Sequence, residues 1–298
     1  MKERESWGKR WPYRVNITAL CLFALSILLV FINIYALAFN DGRDAARGGI
    51  YFFPRQFSLE NFQTIFQQNS NILNAYKISI LRTLIGTVLS TFLTAMAAFT
   101  LKRHRLPGSR FVITFLLVTM LFSGGLIPKY IVLNRIHLLN TVWVYIIPSL
   151  YSAWNILIMK TFFNSIPESL EETAKMAGAN DFFIFIKVYL PLSGAVIAVI
   201  ALFNAVGQWN DWFEGAFFVR SRELKPVQTL LQEMLSSLQK LAKESSGSYR
   251  NIERASQNIT GESVRMAMIV IVTFPIICVY PFAQKYFVRG AMLGSVKE

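Results

Sequence analysis

The stretch 172–191, ETAKMAGANDFFIFIKVYLP, decides how the chain is read. It lies between two long apolar segments, too polar to cross a bilayer and too short to be a domain. Its pattern predicts two short helices joined at a glycine. Ser165 and Glu168 have the spacing of a capping box, in which the serine satisfies an orphan amide and the glutamate reaches back. Leu170, Thr173, Ala174 and Ala177 then recur on one helical face, with Glu168, Glu171, Glu172 and Lys175 opposite. Glu171 and Lys175 read as an ordinary surface pair one turn apart. Gly178 suits the left-handed residue that ends such a helix. Asn180 is placed to cap a second helix over 181–190, and Pro191 opens the next apolar run. A folded hairpin of this kind, held at a membrane surface, is expected to be a docking knuckle.

The surroundings of the hairpin are those of a membrane protein. The 298 residues are 54% hydrophobic and only 16% charged, whereas soluble domains carry about 25% charged residues. The apolar residues gather in long runs, and Cys21 and Cys278 both fall inside them, so neither a disulfide nor a metal pattern is indicated. The net charge of +13 is spread over loops that flank apolar runs. That distribution fits lipid headgroups and orientation in the bilayer, and it argues against nucleic acid as a partner.

Six spans are expected, at 17–39, 74–101, 111–127, 141–163, 191–219 and 263–282. An arm over 1–16 precedes the first, with the span itself readable as an uncleaved signal anchor, and a tail over 285–298 follows the core of 74–284. Outer segments cover 40–73, with an amphipathic piece at 59–66, and 220–262, with a helical-looking 227–241 and a Ser/Gly-rich 245–248. Ser79, Thr83, Thr87, Ser90 and Thr94 form a stripe suited to close helix packing. Ser123, Gly124, Gly125 and Pro128 should break the third span, and Pro148 should kink the fourth. With both ends inside, the inner segments hold about three times as many Lys and Arg as the two shorter outer loops. The same orientation puts the hairpin, 164–190, in the cytoplasm.

The fifth span is unusually polar. Asn204, Gln208 and Asp211 share one helical face, and Glu214 follows beside Trp209, Asn210 and Trp212. Ser152, Trp154 and Asn155 are the polar residues of the fourth span. Acids at membrane depth face a cavity or pair with a cation. Two readings therefore stand: a hydrated solute path, with tryptophans as stacking faces for sugar rings, or ion pairs to Lys77, Arg82 or Arg265 with belt tryptophans at the interface.

No phosphate-cradling G-x-x-x-x-G-K-[ST], no G-x-S-x-G elbow and no metal-ligand spacing around His104 or His137 occurs. Asn258-Ile259-Thr260 matches a glycosylation acceptor by chance. An ion-coupled transporter or channel using Asp211 and Glu214 is the alternative class, although no internal repeat supports it. A membrane enzyme would need a catalytic cluster at one depth, and none is seen.

Glu172-Thr173-Ala174, three residues, Gly178, nine residues and Val188-Tyr189-Leu190-Pro191 resemble the cytoplasmic loop of ABC-importer permeases, E-A-A, three residues, G, nine residues, I-x-L-P. Thr173 and Val188 are mild departures, and Ala177 stands where many members carry aspartate. The segments 122–128, 208–211 and 290–297 are similar to the carbohydrate branch, in particular the second permease of maltose-type and oligosaccharide- or alginate-type systems. The resemblance implies an all-α, type I ABC importer permease fold in a bacterial inner membrane. It implies no cofactor on this chain, with ATP and Mg on two partner ATPase subunits, a second homologous permease and an extracytoplasmic solute-binding protein. The loop around 220–262 would meet that binding protein. Glu172, Thr173, Ala174, Gly178, Ala179, Leu190 and Pro191 would couple to the ATPase. Asn155, Asn204, Gln208, Trp209, Asn210 and Asp211 would line the path of an oligosaccharide.

Overall fold

In the computed structural model, residues 7–68, 71–102, 108–244, 262–281 and 284 are described. Among them every regular element is helical, and a single bridge, Asn40 to Phe57, is the only β-type pairing. The expected tail over 285–298, the 245–248 linker, the 258–260 tripeptide and the basic residues Arg103 and Arg105 lie outside the described residues.

The chain divides into two compact units, 1–70 with 233–274, and 71–232 with 275–298. In the first, the apolar helix Tyr13–Ala38 is followed by a tight polar loop. Asn61 holds that loop, donating to the carbonyls of Ala38 (2.9 Å) and Asn40 (2.7 Å), and accepts from Ser263 Oγ (3.0 Å). Asn40 in turn donates to Asp44 Oδ2 (3.0 Å), which also receives Arg55 Nε (3.1 Å). Buried polar groups cost free energy unless bonded, and this set satisfies one another. The amphipathic piece expected over 59–66 is the helix Glu60–Gln68.

The second unit is organised on the 31-residue helix Ile72–Lys102. Its serine and threonine stripe is the packing face that small side chains allow. Ser79, Ser90 and Thr94 are buried, and the helices Ala153–Asn164 and Gly194–Asn210 lie against it. At Gly86 a β-carbon would stand 2.7 Å from Gln208 Nε2, so a side chain here would displace the Gln208 amide from its place.

Spans one, two and six are single helices, Tyr13–Ala38, Ile72–Lys102 and Glu262–Pro281, each long and apolar enough to cross a bilayer. Spans three to five are broken: the break expected around Gly124, Gly125 and Pro128 is seen in span three, whereas those in spans four and five go beyond the kink at Pro148 and the continuous helix expected there. Span three is Ser109–Leu121, only 13 residues, and the chain then turns through Gly125, at φ +82°, into Leu126–Arg135. Span four is more than kinked at Pro148. A helical turn, Trp143–Ile146, passes through Ile147–Ser149 and stops, and a new helix starts at Ala153 with Ser152 as its cap. Span five does not start at Pro191. The run Asp181–Leu192 bends by 85° into Gly194–Asn210, which ends where Asp211 turns extended before Phe213–Phe218.

Candidate functional site

Two features stand out in the second unit, a hairpin and a polar cavity, and the helix that walls the cavity follows the hairpin at the corner of Ser193. The hairpin begins with Glu168–Met176 and returns as Asp181–Leu192. Its elbow is a Schellman turn: Gly178, at φ +82°, donates to Lys175 O (2.9 Å), and Ala179 donates to Ala174 O (3.0 Å). Ala174 and Ala179, the apolar pair such a turn brings together, pack on a buried core that includes Phe99, Phe163, Phe185 and Tyr189. Asn180 caps the returning helix, accepting from Phe183 N (2.8 Å). The capping box does not form. Ser165 ends the preceding helix and donates back to Phe162 O (2.6 Å), while Pro167 occupies the cap position without a side-chain bond.

The inward face of the first hairpin helix also differs from the expected one. Ala174 and Glu171 face the core, whereas Leu170 is exposed. The Glu171 side chain is 12% exposed, accepting from Lys175 Nζ (2.6 Å) and from the Tyr189 hydroxyl (3.0 Å). Glu172, Met176, Phe182 and Phe183 face outward, Met176 at 91% exposure. Thr173 is exposed and donates to Ser169 O (2.7 Å).

The returning helix carries a π turn, Phe185–Tyr189, ahead of Pro191. Proline lacks the amide that would continue the regular ladder, and a π turn is one way a helix accommodates such a loss. Leu190 packs on the hairpin core, and Pro191 is exposed. Hydrogen bonding continues round the corner: Ser193 N donates to Tyr189 O (3.0 Å), and Ile197 N donates to Ser193 O (2.9 Å). The hairpin is thus joined to Gly194–Asn210 without a slack linker.

The far half of that helix borders a cavity of about 190 Å³. Asn155, Asn204, Gln208 and Asp211 line it, with Ser90, Ser149, Ser152 and Glu214. Asn155 Nδ2 donates to Asn204 Oδ1 (2.9 Å), and Asn204 Nδ2 donates to Thr91 Oγ1 (3.1 Å). Gln208 donates to Tyr145 O (3.3 Å) and to Ser149 Oγ. The amides are therefore fixed in orientation, and the wall they form suits hydroxyl groups, which both donate and accept.

Of the six expected path residues, two lie elsewhere. Trp209 is buried with its ring centroid 6.3 Å from that of Tyr76. Asn210 is exposed and accepts from Gln228 Nε2 (3.4 Å). Positions 204, 208 and 211 share one face of the helix, and 209 and 210 point away from it. Trp212 meets the Phe213 ring edge-on and the Phe217 ring at a tilt.

Both acids meet cations. Arg82 Nη1 lies 3.4 Å from Asp211 Oδ2, and Lys129 Nζ lies 3.0 Å from Glu214 Oε1. Arg82 is fully buried, donates also to the carbonyls of Gln208 and Asp211, and lies over the Tyr145 ring. It closes the exposed carbonyls at the end of Gly194–Asn210. Lys129 had no signal in sequence spacing, because it enters from Leu126–Arg135, a helix that starts after the break at Gly125 and runs beyond the expected third span. Ser149 was equally hidden beside Pro148. Among the described residues no cluster of three metal-ligating side chains occurs.

Residues 2–292 match the family model described as binding-protein-dependent transport system inner membrane component. The chain is similar to the polygalacturonan/rhamnogalacturonan transport system permease protein YtcP of Bacillus subtilis, at 38% identity over 93% of this chain and 95% of that protein. It is 35% identical to the protein LplC of the same organism, over 91% and 89%. Among solved structures it resembles a chain of a bacterial ABC transporter involved in the import of the acidic polysaccharide alginate, with a TM-score of 0.82, 30% identity and coverage of 95% and 99%. The hairpin and the broken spans thus belong to a type I ABC permease fold, and this chain is a member of the binding-protein-dependent transport system inner membrane component family, the permease part of an ABC importer rather than an enzyme.

Proposed function

We propose that this chain is one half of the translocation pathway of an importer for an acidic oligosaccharide, driven through the 172–191 hairpin by ATPase subunits. The observation that carries the reading is the corner at Ser193. One continuous hydrogen-bonded path joins the exposed hairpin surface to the helix whose other end walls a polar cavity. A push on the hairpin therefore turns the cavity wall.

In this reading six crossings, three of them broken, place both termini and the hairpin in the cytoplasm. A second permease completes the cavity, and a solute-binding protein delivers the sugar from outside. Glu172 pairs with a basic residue on the docked ATPase. Closure of the ATPase pair moves the hairpin as a lever, and the cavity alternates between outward and inward access. ATP and Mg belong to those subunits, since this sequence has no phosphate loop.

The acidic class of substrate is supported by the relatives, one named for polygalacturonan and rhamnogalacturonan and one for alginate. The cavity is compatible with uronates, because Asp211 and Glu214 are each held to a cation and present hydroxyl-binding amides beside them. The same pairing leaves the ion-coupled alternative without a free carboxylate to use. Uptake of labelled oligogalacturonides, oligoalginates and neutral maltodextrins into proteoliposomes holding the complete complex tests the proposal. ATP-dependent uptake of an acidic oligosaccharide is expected; uptake driven by a proton or sodium gradient without ATP would overturn it.

A further inference from the structure

We propose that Glu171, Tyr189 and Lys102 form a clamp that carries force from the hairpin into the Ile72–Lys102 and Gly194–Asn210 helices, and so sets how tightly hydrolysis is coupled to uptake. The inference rests on the function proposed above and concerns residues outside the exposed docking face.

The three residues come from three elements. Lys102 is the last residue of Ile72–Lys102, Glu171 sits on Glu168–Met176, and Tyr189 closes the π turn four residues before the corner at Ser193. Tyr189 is fully buried, its ring set edge-on to Phe99 at 4.9 Å and Phe163 at 5.3 Å. The Lys102 ammonium donates to the tyrosine oxygen and lies 4.6 Å from the ring centroid. The phenol passes its one proton toward Glu171 Oε2, 3.0 Å away. The order ammonium, phenol, carboxylate leaves each group in the role its chemistry allows. Lys102 is 7% exposed and the Glu171 side chain 12%, so water competes little for these bonds.

Around the clamp the hairpin packs on an apolar core that includes Phe99, Phe163, Ile184 and Phe185. Such contacts hold surfaces together without fixing a direction, and aromatic faces can slide while remaining buried. Charge-assisted hydrogen bonds are directional and short-ranged. The clamp thus fixes the register in which the hairpin pushes. None of the three lines the cavity, so they are positioning residues.

Tyr189→Phe and Glu171→Gln, singly and together, test this in the complete complex in proteoliposomes, reading sugar taken up per ATP hydrolysed. Tyr189→Phe keeps the ring and loses the bridge, and Glu171→Gln changes only a half-exposed helix, so either can stand if the other fails to fold. The complex is expected to assemble with its ATPase and to hydrolyse ATP within about twofold of the wild type. Uptake per ATP should fall by about tenfold, the change that one lost hydrogen bond to a charged group produces. The double variant should lose little more than Tyr189→Phe alone, because Glu171→Gln weakens, by loss of its charge, the same bridge that Tyr189→Phe removes. An unchanged ratio would overturn the clamp. So would loss of ATPase association, which would make these residues supports of the docking face alone. If the wild-type complex itself shows no ATP-driven uptake, the proposed function fails first and the clamp with it.

Discussion

Arg82 is fully buried and bonds the carbonyls of Gln208 and Asp211 as well as the Asp211 carboxylate. It therefore acts as a cap for a helix that stops inside the protein. Arg82→Met should lower the stability of the purified complex by about 3 kcal/mol, since it strands two carbonyls and a carboxylate at once. A fall in the thermal midpoint in detergent checks this, and Arg82→Lys, which cannot fork, should recover only part of it. At Asp44 a hydrogen bond from Asn40 holds the carboxyl below the usual carboxylate range, burial works against it, and Arg55 adds to the lowering. A depressed pKa contributes stability above the unfolded value of 3.8 that is lost as pH falls through the folded one. Amide exchange across 40–58 should accordingly rise on acidification below about pH 4, and Asp44→Asn should abolish that dependence.

Gly178 belongs to the scale of the element, because its φ of +82° sets the angle between the two hairpin helices. Gly178→Ala should cost about 1 kcal/mol in the left-handed region. The elbow was legible beforehand: Gly178 and the Asn180 cap are signals written in local chemistry, and both act where expected. So were spans one, two and six, which are uninterrupted apolar runs. The failures have a common cause. Spans four and five stop where side chains satisfy the broken ladder: Arg82 donates to Gln208 O, and Ser152 accepts from Asn155 N at the start of the next helix. Hydropathy records no partner for a backbone carbonyl, so it joins such pieces into one span. Glu171 read as a solvated pair with Lys175 for the same reason. The tyrosine that buries it lies 18 residues on, at a variable position of the motif.

At the scale of the whole molecule, the cavity was half legible. The shared face of Asn204, Gln208 and Asp211 was visible as spacing, and Asn155 joins it across the packed helices. Trp209 was drawn in by its neighbours in sequence and is in fact buried beside the Tyr76 ring, away from the cavity. The proposed orientation makes a direct prediction. With Cys21 and Cys278 replaced by serine, a cysteine at Phe53 (82% exposed) should react with a membrane-impermeant thiol reagent added outside intact cells. A cysteine at Met176 (91% exposed) should react only after permeabilisation. The central claim is that the hairpin delivers the force that moves the cavity, and Gly178→Pro tests it most directly. Proline cannot adopt the positive φ and removes the amide bonded to Lys175 O, so the elbow must open. In the reconstituted complete complex, substrate-stimulated ATP hydrolysis and uptake of the acidic oligosaccharide should both fall at least about tenfold, the change that about 1.4 kcal/mol lost at the elbow produces. Wild-type rates of both in that variant would contradict the account.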